Sequence, residues 1–312
     1  MERIPVYVLS GFLGSGKTTL LVEIIKNAKK KRLNISVLMN EIGKTDTDGK
    51  IVSGLDKSMP IEKLLDGCMC CNKKSEVSGA MVKLAKGKPD LIVIELTGVA
   101  DPEEVADALA EPKLMEMIKL EKVISVLDGE HILDYNSIFT AERTMVRTTR
   151  KQMSFADVLL VNKIDQMEDK QREKVEKAVR KHNSIAPITY TSFCNVNIDE
   201  LLAPNDRAPK EIKRENNKEH PHSRIQTLKL EVPGPVPSKR VVEKFLKELK
   251  PGLVRAKGFI NIKDNTYLVQ HSMKKTYWEK ASSEEMYLIL IGVDLDVEKV
   301  NREWNKWCVV YN

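Results

Sequence analysis

Residues 11–18, with the sequence GFLGSGKT, constrain the fold of this chain more than any other segment, because they fit the pattern G-x-x-x-x-G-K-[ST]. They lie between a short β-rich run, residues 5–9, and residues 17–31, whose apolar side chains recur with helical periodicity. A strand, a glycine-rich turn and a helix in this order place backbone N–H groups at the positive end of a helix dipole. The segment therefore predicts a phosphate-binding loop, or P-loop; a glycine-rich turn without a ligand is the alternative.

Each residue type in this loop has a chemical reason. Small residues let the backbone approach phosphate oxygens closely; they are Gly11, Gly14, Ser15 and Gly16. Lys17 is placed to reach the β- and γ-phosphates, and the hydroxyl of Thr18 to ligate Mg²⁺. The loop therefore predicts a nucleoside triphosphate and magnesium as ligands.

Beyond the P-loop, strand-like and helix-like segments alternate. Unbroken apolar runs are typical of strands buried on both faces of a parallel sheet, and they occur at residues 35–39, 91–96, 123–127 and 158–161. Helix-like stretches lie between or after them, at residues 102–118, 141–155 and 169–182. This order predicts a P-loop NTPase fold, which is a doubly wound α/β domain with a mostly parallel sheet.

The alternation ends near residue 203. Residues 204–224 contain three prolines, many charges and no apolar periodicity, which predicts a linker. Strand-like and helix-like segments resume at residue 225 and predict a smaller α+β domain. The 312 residues agree with two domains. The predicted bounds are therefore 1–203 for the first domain, 204–224 for the linker and 225–312 for the second domain.

Residues 162–165, NKID, follow the strand-like run at 158–161. A carboxylate such as Asp165 accepts hydrogen bonds from both N1–H and the exocyclic amine of guanine, and adenine lacks that pair of donors. Asn162 and Lys163 shape the other side of the ring. The segment therefore favours GTP over ATP, and the loop at residues 191–194 is expected to lie near the same base.

Glu95 lies near the end of the strand-like run at 91–96 and places a carboxylate where a nucleotide site needs a contact to hydrated Mg²⁺ or to the attacking water. Gly98, three residues later, is placed to donate its backbone N–H to a γ-phosphate. Residues 40–49 are polar and turn-rich, which is typical of a switch loop that senses the nucleotide. The alternatives are a strand that ends in glutamate by chance and an ordinary surface loop.

Three of the five cysteines crowd into four residues, as Cys68, Cys70 and Cys71. Thiolates are the soft ligands that select Zn²⁺ or Cu(I), and three of them leave one position open on a tetrahedral ion. An open coordination position suits an ion that is loaded and handed on. Alternatively, a fourth ligand such as Glu41 closes it. Redox chemistry and simple packing are the alternatives; a bridge between the adjacent Cys70 and Cys71 would be strained.

Charge and hydropathy exclude other classes of protein. The net charge of +6 comes from 51 basic and 45 acidic side chains that are scattered along the chain, so we expect no nucleic-acid partner. No apolar run approaches the roughly 20 residues that span a bilayer, so we expect no membrane partner. The N-terminal residues lack the pattern of a secretory signal, and the odd number of cysteines fits a reducing compartment. A cytoplasmic location is therefore expected.

Five motifs in this order resemble the CobW-type metal-homeostasis GTPases, which are relatives of the GTPases that mature hydrogenase and urease. They lie at residues 11–18, 40–43, 67–71, 95–102 and 162–165. Residues 255–259 and 288–294 look like the C-terminal domain of that family, so the resemblance spans the chain. The cysteine motif is specific to the family, whereas the P-loop and the N-K-x-D segment are not.

The resemblance implies a slow GTPase that couples its nucleotide state to the binding and delivery of a transition metal. Its cofactors would be GTP or GDP and Mg²⁺, and its cargo would be zinc, cobalt or nickel. Its partner would be a client metalloprotein. Whether the chain forms a homodimer is left open. By position, the implied phosphate, Mg²⁺ and catalytic residues are Lys17, Thr18, Thr19 and Glu95. The implied guanine residues are Asn162, Lys163 and Asp165, and the implied metal ligands are Cys68, Cys70 and Cys71, with Glu41 as an accessory.

One residue departs from the family pattern: Lys44 stands where the family usually has an acidic residue, so a metal site that needs that carboxylate is not expected. Two other classes of function fit the same motifs. The chain is then either a GTPase switch that acts on a macromolecule and holds zinc as a static clip, or a maturation factor for a corrinoid enzyme or another metalloenzyme.

Overall fold

The computed structural model describes residues 2–40, 60–64, 74–203, 225–250, 252–272, 275–283 and 285–309. The chain divides into two compact units, Met1–Ser223 and Arg224–Asn312. The predicted domain bounds at residues 203 and 225 stay a prediction. Among the helices of the described residues, none is both long enough and apolar enough to cross a membrane.

The first unit contains a parallel sheet in which the strand order is β3-β2-β4-β1-β5-β6-β7. Its strands are β1 (Ile4–Ser10), β2 (Ile35–Asn40), β3 (Ile61–Leu64), β4 (Leu91–Glu95), β5 (Ile118–Asp128), β6 (Val158–Asn162) and β7 (Ile188–Tyr190). Every residue of β4 and β6 is buried, as the unbroken apolar runs predict for strands that are covered on both faces.

Helices cover this sheet. They are α1 (Lys17–Lys30), α2 (Lys74–Lys86), α3 (Pro102–Leu109), α4 (Pro112–Met117), α5 (Ile132–Tyr135), α6 (Arg143–Ser154), α7 (Asp169–Arg180) and α8 (Ile198–Leu202). The apolar stripe of α1 is buried through Leu20, Leu21, Ile24, Ile25 and Ala28, and it packs in one core cluster with side chains of β1, β2 and β4. The predicted α/β architecture is confirmed.

One predicted helix is wrong. Residues 102–118 form two short helices, α3 and α4, rather than one, and Ile118 already begins β5. Pro112 opens α4 at its first position, and Glu111 before it is extended, with φ −70° and ψ 136°. The proline ring clashes with a helical conformation of the preceding residue, so a helix cannot run through Glu111.

The second unit contains an antiparallel sheet in the order β11-β10-β9-β12-β8. Its elements are β8 (Ile225–Glu231), α9 (Lys239–Glu248), β9 (Leu253–Ile262), β10 (Asn265–Ser272), β11 (Lys275–Lys280), β12 (Tyr287–Val293) and α10 (Val297–Val309). Phe245 of α9 and Trp304 of α10 meet edge to face, with ring centroids 5.0 Å apart, in the core of this unit. The predicted α+β class of the second domain is confirmed.

The strand order of the first unit indicates where a ligand would bind. The chain builds one side of the sheet through β3, β2 and β4 and the other through β5, β6 and β7, with β1 between β4 and β5. Open α/β sheets bind ligands at the carboxyl ends of their strands, where the strand order reverses. The P-loop follows β1, so it lies at this point of the sheet.

Candidate functional site

The P-loop begins where β1 ends at Ser10 and leads directly into α1 at Lys17. Gly11, Gly14 and Gly16 all have positive φ, at 134°, 72° and 111°. Gly16 precedes the helix, and a Cβ on it would lie 2.4 Å from Nδ2 of Asn162. The last glycine is therefore required both by its left-handed backbone and by the close approach of a second loop.

The two polar side chains that open α1 are held in place by neighbouring groups. Lys17 is only 7% exposed, and its ammonium donates to the carbonyl oxygen of Phe12 over 2.9 Å. The hydroxyl of Thr18 donates to Oε1 of Glu95, 2.6 Å away, and Glu95 ends the buried strand β4. Thr19, next along the helix, is exposed. A hydroxyl and a carboxylate side by side are the hard oxygen donors that Mg²⁺ prefers, so this pair fits that ion.

Gly98 lies against the P-loop. A Cβ at this position would lie 2.3 Å from the backbone nitrogen of Leu13, so only glycine permits this contact. The buried amide of Gln152, from α6, donates to the carbonyl oxygen of Gly98 over 3.0 Å and lies 3.4 Å from that of Ala100. The segment after β4 is thus held between the P-loop and α6.

On the other side of the P-loop, Asn162 joins two loops. Its Nδ2 donates to the carbonyl oxygen of Ser15 over 2.8 Å, and its Oδ1 accepts from the backbone N–H of Cys194 over 2.9 Å. The Cys194 thiol lies 3.3 Å from the carbonyl oxygen of Gly16, and burial raises its pKa to about 12. The loop at 191–194 therefore contacts the N-K-x-D segment, and its predicted proximity to the base stays a prediction.

The other residues of the N-K-x-D segment face elsewhere. Lys163 adopts a left-handed φ of 64°, and its ammonium donates to Oδ2 of Asp128 over 2.7 Å. The hydrogen bond with this carboxylate raises the pKa of Lys163. Asp165 lies in the 3₁₀ turn Ile164–Gln166 and is exposed. The segment thus directs its asparagine toward the P-loop and leaves its one carboxylate at the surface.

Four predicted metal ligands lie outside the described residues: Glu41, Cys68, Cys70 and Cys71. Glu41 directly follows β2, which ends at Asn40, and the three cysteines lie between β3, which ends at Leu64, and α2, which begins at Lys74. Asn40 ends its strand at the carboxyl edge of the sheet, the same edge that carries the P-loop and Glu95. The cysteine site stays a prediction.

Comparison with known protein families decides the class of this chain. The family model described as the CobW/HypB/UreG nucleotide-binding domain matches residues 5–190, and the model described as the C-terminal domain of the cobalamin synthesis protein cobW matches residues 225–308. The chain belongs to the CobW/HypB/UreG family. The resemblance that its motifs carry is therefore confirmed.

Individual members of the CobW/HypB/UreG family match different lengths of this chain. Zinc-regulated GTPase metalloprotein activator 1 of Saccharomyces cerevisiae is 32% identical over 221 residues, which cover 64% of this chain and 51% of that protein. This chain therefore spans about half the length of the yeast relative. The zinc chaperone YjiA of Escherichia coli is 28% identical over 323 residues, which cover 96% of this chain and 97% of YjiA.

Solved structures share the fold. A crystal structure of a Zn(II)-bound triple mutant of the YjiA GTPase superposes with a TM-score of 0.50 at 23% identity, and the match covers 98% of this chain and 99% of that one. This similarity supports the two-part architecture described above, and at this level of identity it supports the fold alone.

Two residues of the site in this CobW/HypB/UreG chain were missed by sequence reasoning. Asp128 holds Lys163, and it ends the apolar run of β5 as Glu95 ends that of β4, so its position after a buried strand was a usable signal. Gln152 fixes the segment after β4, but a single glutamine in an amphipathic helix gives no sequence signal.

Proposed function

We propose that this chain is a GTP-binding, GTP-hydrolysing metallochaperone that couples its nucleotide state to the binding and delivery of a transition metal. One observation carries the proposal: the P-loop contacts Glu95 on one side, through Thr18, and Asn162 on the other, through Ser15. The first contact lies where phosphates and Mg²⁺ are handled in this class of fold, and the second lies where a base is recognised.

For the triphosphate, we assign contacts to the P-loop, to the first turn of α1 and to the segment after β4. The residues are Gly11, Gly14, Ser15, Gly16, Lys17, Thr18, Thr19 and Gly98. On nucleotide binding, the Lys17 ammonium exchanges the carbonyl of Phe12 for β- and γ-phosphate oxygens, since a buried cation prefers an anionic partner. Thr18 and Glu95 would hold Mg²⁺, Glu95 directly or through a water molecule. When bound, that ion neutralises charge on the phosphates as water attacks the γ-phosphorus in line.

For the base, we assign Asn162, Lys163 and Asp165. The exposed carboxylate of Asp165 accepts from N1–H and the exocyclic amine of guanine. The stem of Lys163 lies along the ring while its ammonium stays on Asp128, and Asn162 fixes the distance between base and phosphates because it bonds the P-loop directly.

For the cargo, we assign the thiolates of Cys68, Cys70 and Cys71, with Glu41 as an accessory ligand. Thiolate ligands suit Zn²⁺, and the relatives described above carry zinc in their names, so zinc is favoured over cobalt and nickel. In sequence, the cysteines lie between residues 40–49, the expected switch loop, and Glu95, which bonds Thr18 of the P-loop. Loss of the γ-phosphate therefore changes the thiolate site and releases the ion to a client metalloprotein. We place this activity in the cytoplasm, where thiols stay reduced.

The guanine assignment is tested by exchanging one donor pattern for another. In Asp165→Asn, an amide replaces the carboxylate; it still accepts from N1–H but repels the exocyclic amine of guanine, whereas it matches the carbonyl that xanthine carries at that position. We expect Asp165→Asn to lose at least about tenfold in GTP affinity and to gain XTP binding, which corresponds to roughly one hydrogen bond with a charged group.

The matched control is Asp264→Asn, which changes another exposed aspartate in the second unit. Affinities are measured by titrating each variant with fluorescent GTP, XTP and ATP analogues in the presence of Mg²⁺. Unchanged GTP affinity in Asp165→Asn, or equal binding of ATP and GTP by the unaltered chain, contradicts the assignment.

A further inference from the structure

Three side chains with metal-ligating atoms meet just after β5. They are Asp128, Glu130 and His131, and one ligand atom from each lies within 4.8 Å of the other two. The Nδ1 atom of His131 is 3.5 Å from Oδ2 of Asp128 and 3.5 Å from Oε2 of Glu130. Neither the P-loop nor the cysteine motif accounts for this cluster.

The distances from Nδ1 of His131 to the two carboxylates match the separation between two ligand atoms on one metal ion. Two ligands that each lie about 2.1 Å from a tetrahedral zinc ion are roughly 3.4 Å apart. The 3.5 Å separations are too long for hydrogen bonds, and Nδ1 of His131 is buried without a hydrogen-bond partner among the described residues. A buried ring nitrogen between two carboxylates is explained if an ion completes the set.

The chain holds these ligands in place before any ion arrives. Oδ1 of Asp128 accepts from the backbone N–H of Glu130 over 3.1 Å and lies 3.4 Å from that of His131, so the carboxylate is fixed by the turn that carries the other two ligands. Tyr135 stacks on the His131 ring, with centroids 5.8 Å apart. Asp128 is 3% exposed, whereas Glu130 and His131 are 41% and 44% exposed, which leaves an entry path from solvent.

We propose that Asp128, Glu130 and His131 form a binding site for a divalent transition-metal ion of the zinc class, separate from the cysteine motif. One imidazole and two carboxylates suit Zn²⁺ or Co²⁺ better than Mg²⁺, which prefers oxygen ligands alone. A water molecule completes a tetrahedron, because three protein ligands leave one position open.

Metal binding at this site is also coupled to nucleotide binding, and this step rests on the proposed function. Oδ2 of Asp128 accepts from Lys163, the lysine assigned to the guanine ring, and a carboxylate oxygen has a second lone pair for a metal. An ion on Asp128 repels the Lys163 ammonium and weakens the bond that positions it. Metal at this cluster therefore lowers affinity for guanine nucleotides, and nucleotide lowers affinity for the metal to the same degree.

The test uses the full chain with Cys68, Cys70 and Cys71 all changed to serine, so that the cysteine motif no longer binds metal. Co²⁺ is titrated and followed by its visible absorption, and Zn²⁺ is then added in competition. His131→Ala and Glu130→Gln are compared with His182→Ala, which removes an imidazole outside the cluster. The Glu130 side chain is only partly buried, at 41% exposure, so its substitution is expected to leave the fold intact.

We expect His131→Ala and Glu130→Gln each to weaken metal binding at least about tenfold, the loss that follows even from removing an outer partner of a metal ligand. His182→Ala should bind as its parent does. Equal affinity in all four proteins, or no binding by the parent, overturns the site.

The coupling to nucleotide is measured in the same cysteine-free parent by GDP titration with and without Zn²⁺. We expect Zn²⁺ to raise the Kd for GDP about fivefold or more and to have no such effect in His131→Ala. A GDP affinity that ignores Zn²⁺ in the parent overturns the coupling. Absence of GDP binding with Mg²⁺ present and Zn²⁺ left out contradicts the proposed function instead, while the Co²⁺ titration still decides the metal site.

Discussion

The side-chain amide of Asn162 donates to the carbonyl oxygen of Ser15 over 2.8 Å and so joins two segments that are 147 residues apart in sequence. Its Oδ1 accepts from the backbone N–H of Cys194, in the loop after β7. One buried side chain therefore sets the distance between the P-loop and both loops that are assigned to the base. This arrangement makes Asn162 a structural tie as well as part of a nucleotide motif.

Replacing Asn162 with alanine is expected to lower the free energy of unfolding by at least about 2 kcal/mol, because two buried backbone groups lose their partners at about 1–3 kcal/mol each. Asn27→Ala is the matched control, since its amide bonds Asp199 at the surface and its loss should stay within about 0.5 kcal/mol. Urea unfolding of both variants measures the difference. Equal destabilisation by Asn162→Ala and Asn27→Ala contradicts a structural role for Asn162.

Gly98→Ala is expected to weaken nucleotide binding at least about tenfold, because the new methyl group would lie 2.3 Å from the backbone nitrogen of Leu13 and push the P-loop away. Gly79→Ala, in α2, meets nothing within 4 Å and should leave the affinity unchanged while stabilising its helix by about 1 kcal/mol. Titration with a fluorescent GTP analogue gives both affinities. Parent-like affinity in Gly98→Ala would show that this contact does not shape the P-loop.

Cys194 is expected to resist alkylation while the chain is folded. Its side chain is fully buried, and burial raises the pKa of the thiol to about 12, so roughly one thiol in ten thousand is ionised at pH 8. The thiol should react with iodoacetamide only when urea unfolds the chain, as followed by mass spectrometry of the peptide that contains residue 194. Labelling at the same rate with and without urea would refute this account of the loop.

His182 is expected to make stability fall in acid. Burial, together with Arg150 and Lys181, lowers the pKa of this side chain below its usual 6.5. Between the lowered pKa and 6.5, His182 binds more protons in the unfolded chain than in the folded chain. The free energy of unfolding therefore rises with pH in this range, and this contribution to stability is lost as pH falls below about 6.5. His182→Gln should show a smaller drop in urea midpoint between roughly pH 7.5 and pH 5. An identical drop in parent and variant argues against this origin.

Much of the first unit follows from its sequence. Strands that are buried on both faces must be apolar throughout, so β4 and β6 were predicted directly from their runs. The contact between Thr18 and Glu95 was also foreseeable, because parallel strands end at one edge and the P-loop follows the strand beside β4. These features depend on local pattern and on the rules of parallel sheets.

Other features could not be predicted, because they depend on tertiary contacts. The four residues of β3 are too few for a periodicity, and their pairing with β2 defines them as a strand. The inward turn of Asn162 depends on the carbonyl of Ser15 and on the backbone N–H of Cys194, which only the folded chain brings within its reach. The break at Pro112 was visible in the sequence, but the apolar pattern on both sides of it concealed the end of a helix.

The central claim is that nucleotide state and metal affinity are coupled in one chain. The most direct test measures the zinc affinity of the full chain in three states: with a non-hydrolysable GTP analogue, with GDP and without nucleotide. The triple variant Cys68→Ser, Cys70→Ser and Cys71→Ser is the reference for the cysteine site. The account predicts that the affinity of the cysteine site is at least about fivefold higher with the GTP analogue than with GDP. Equal zinc affinity in all three states contradicts it and favours a GTPase with a static zinc clip.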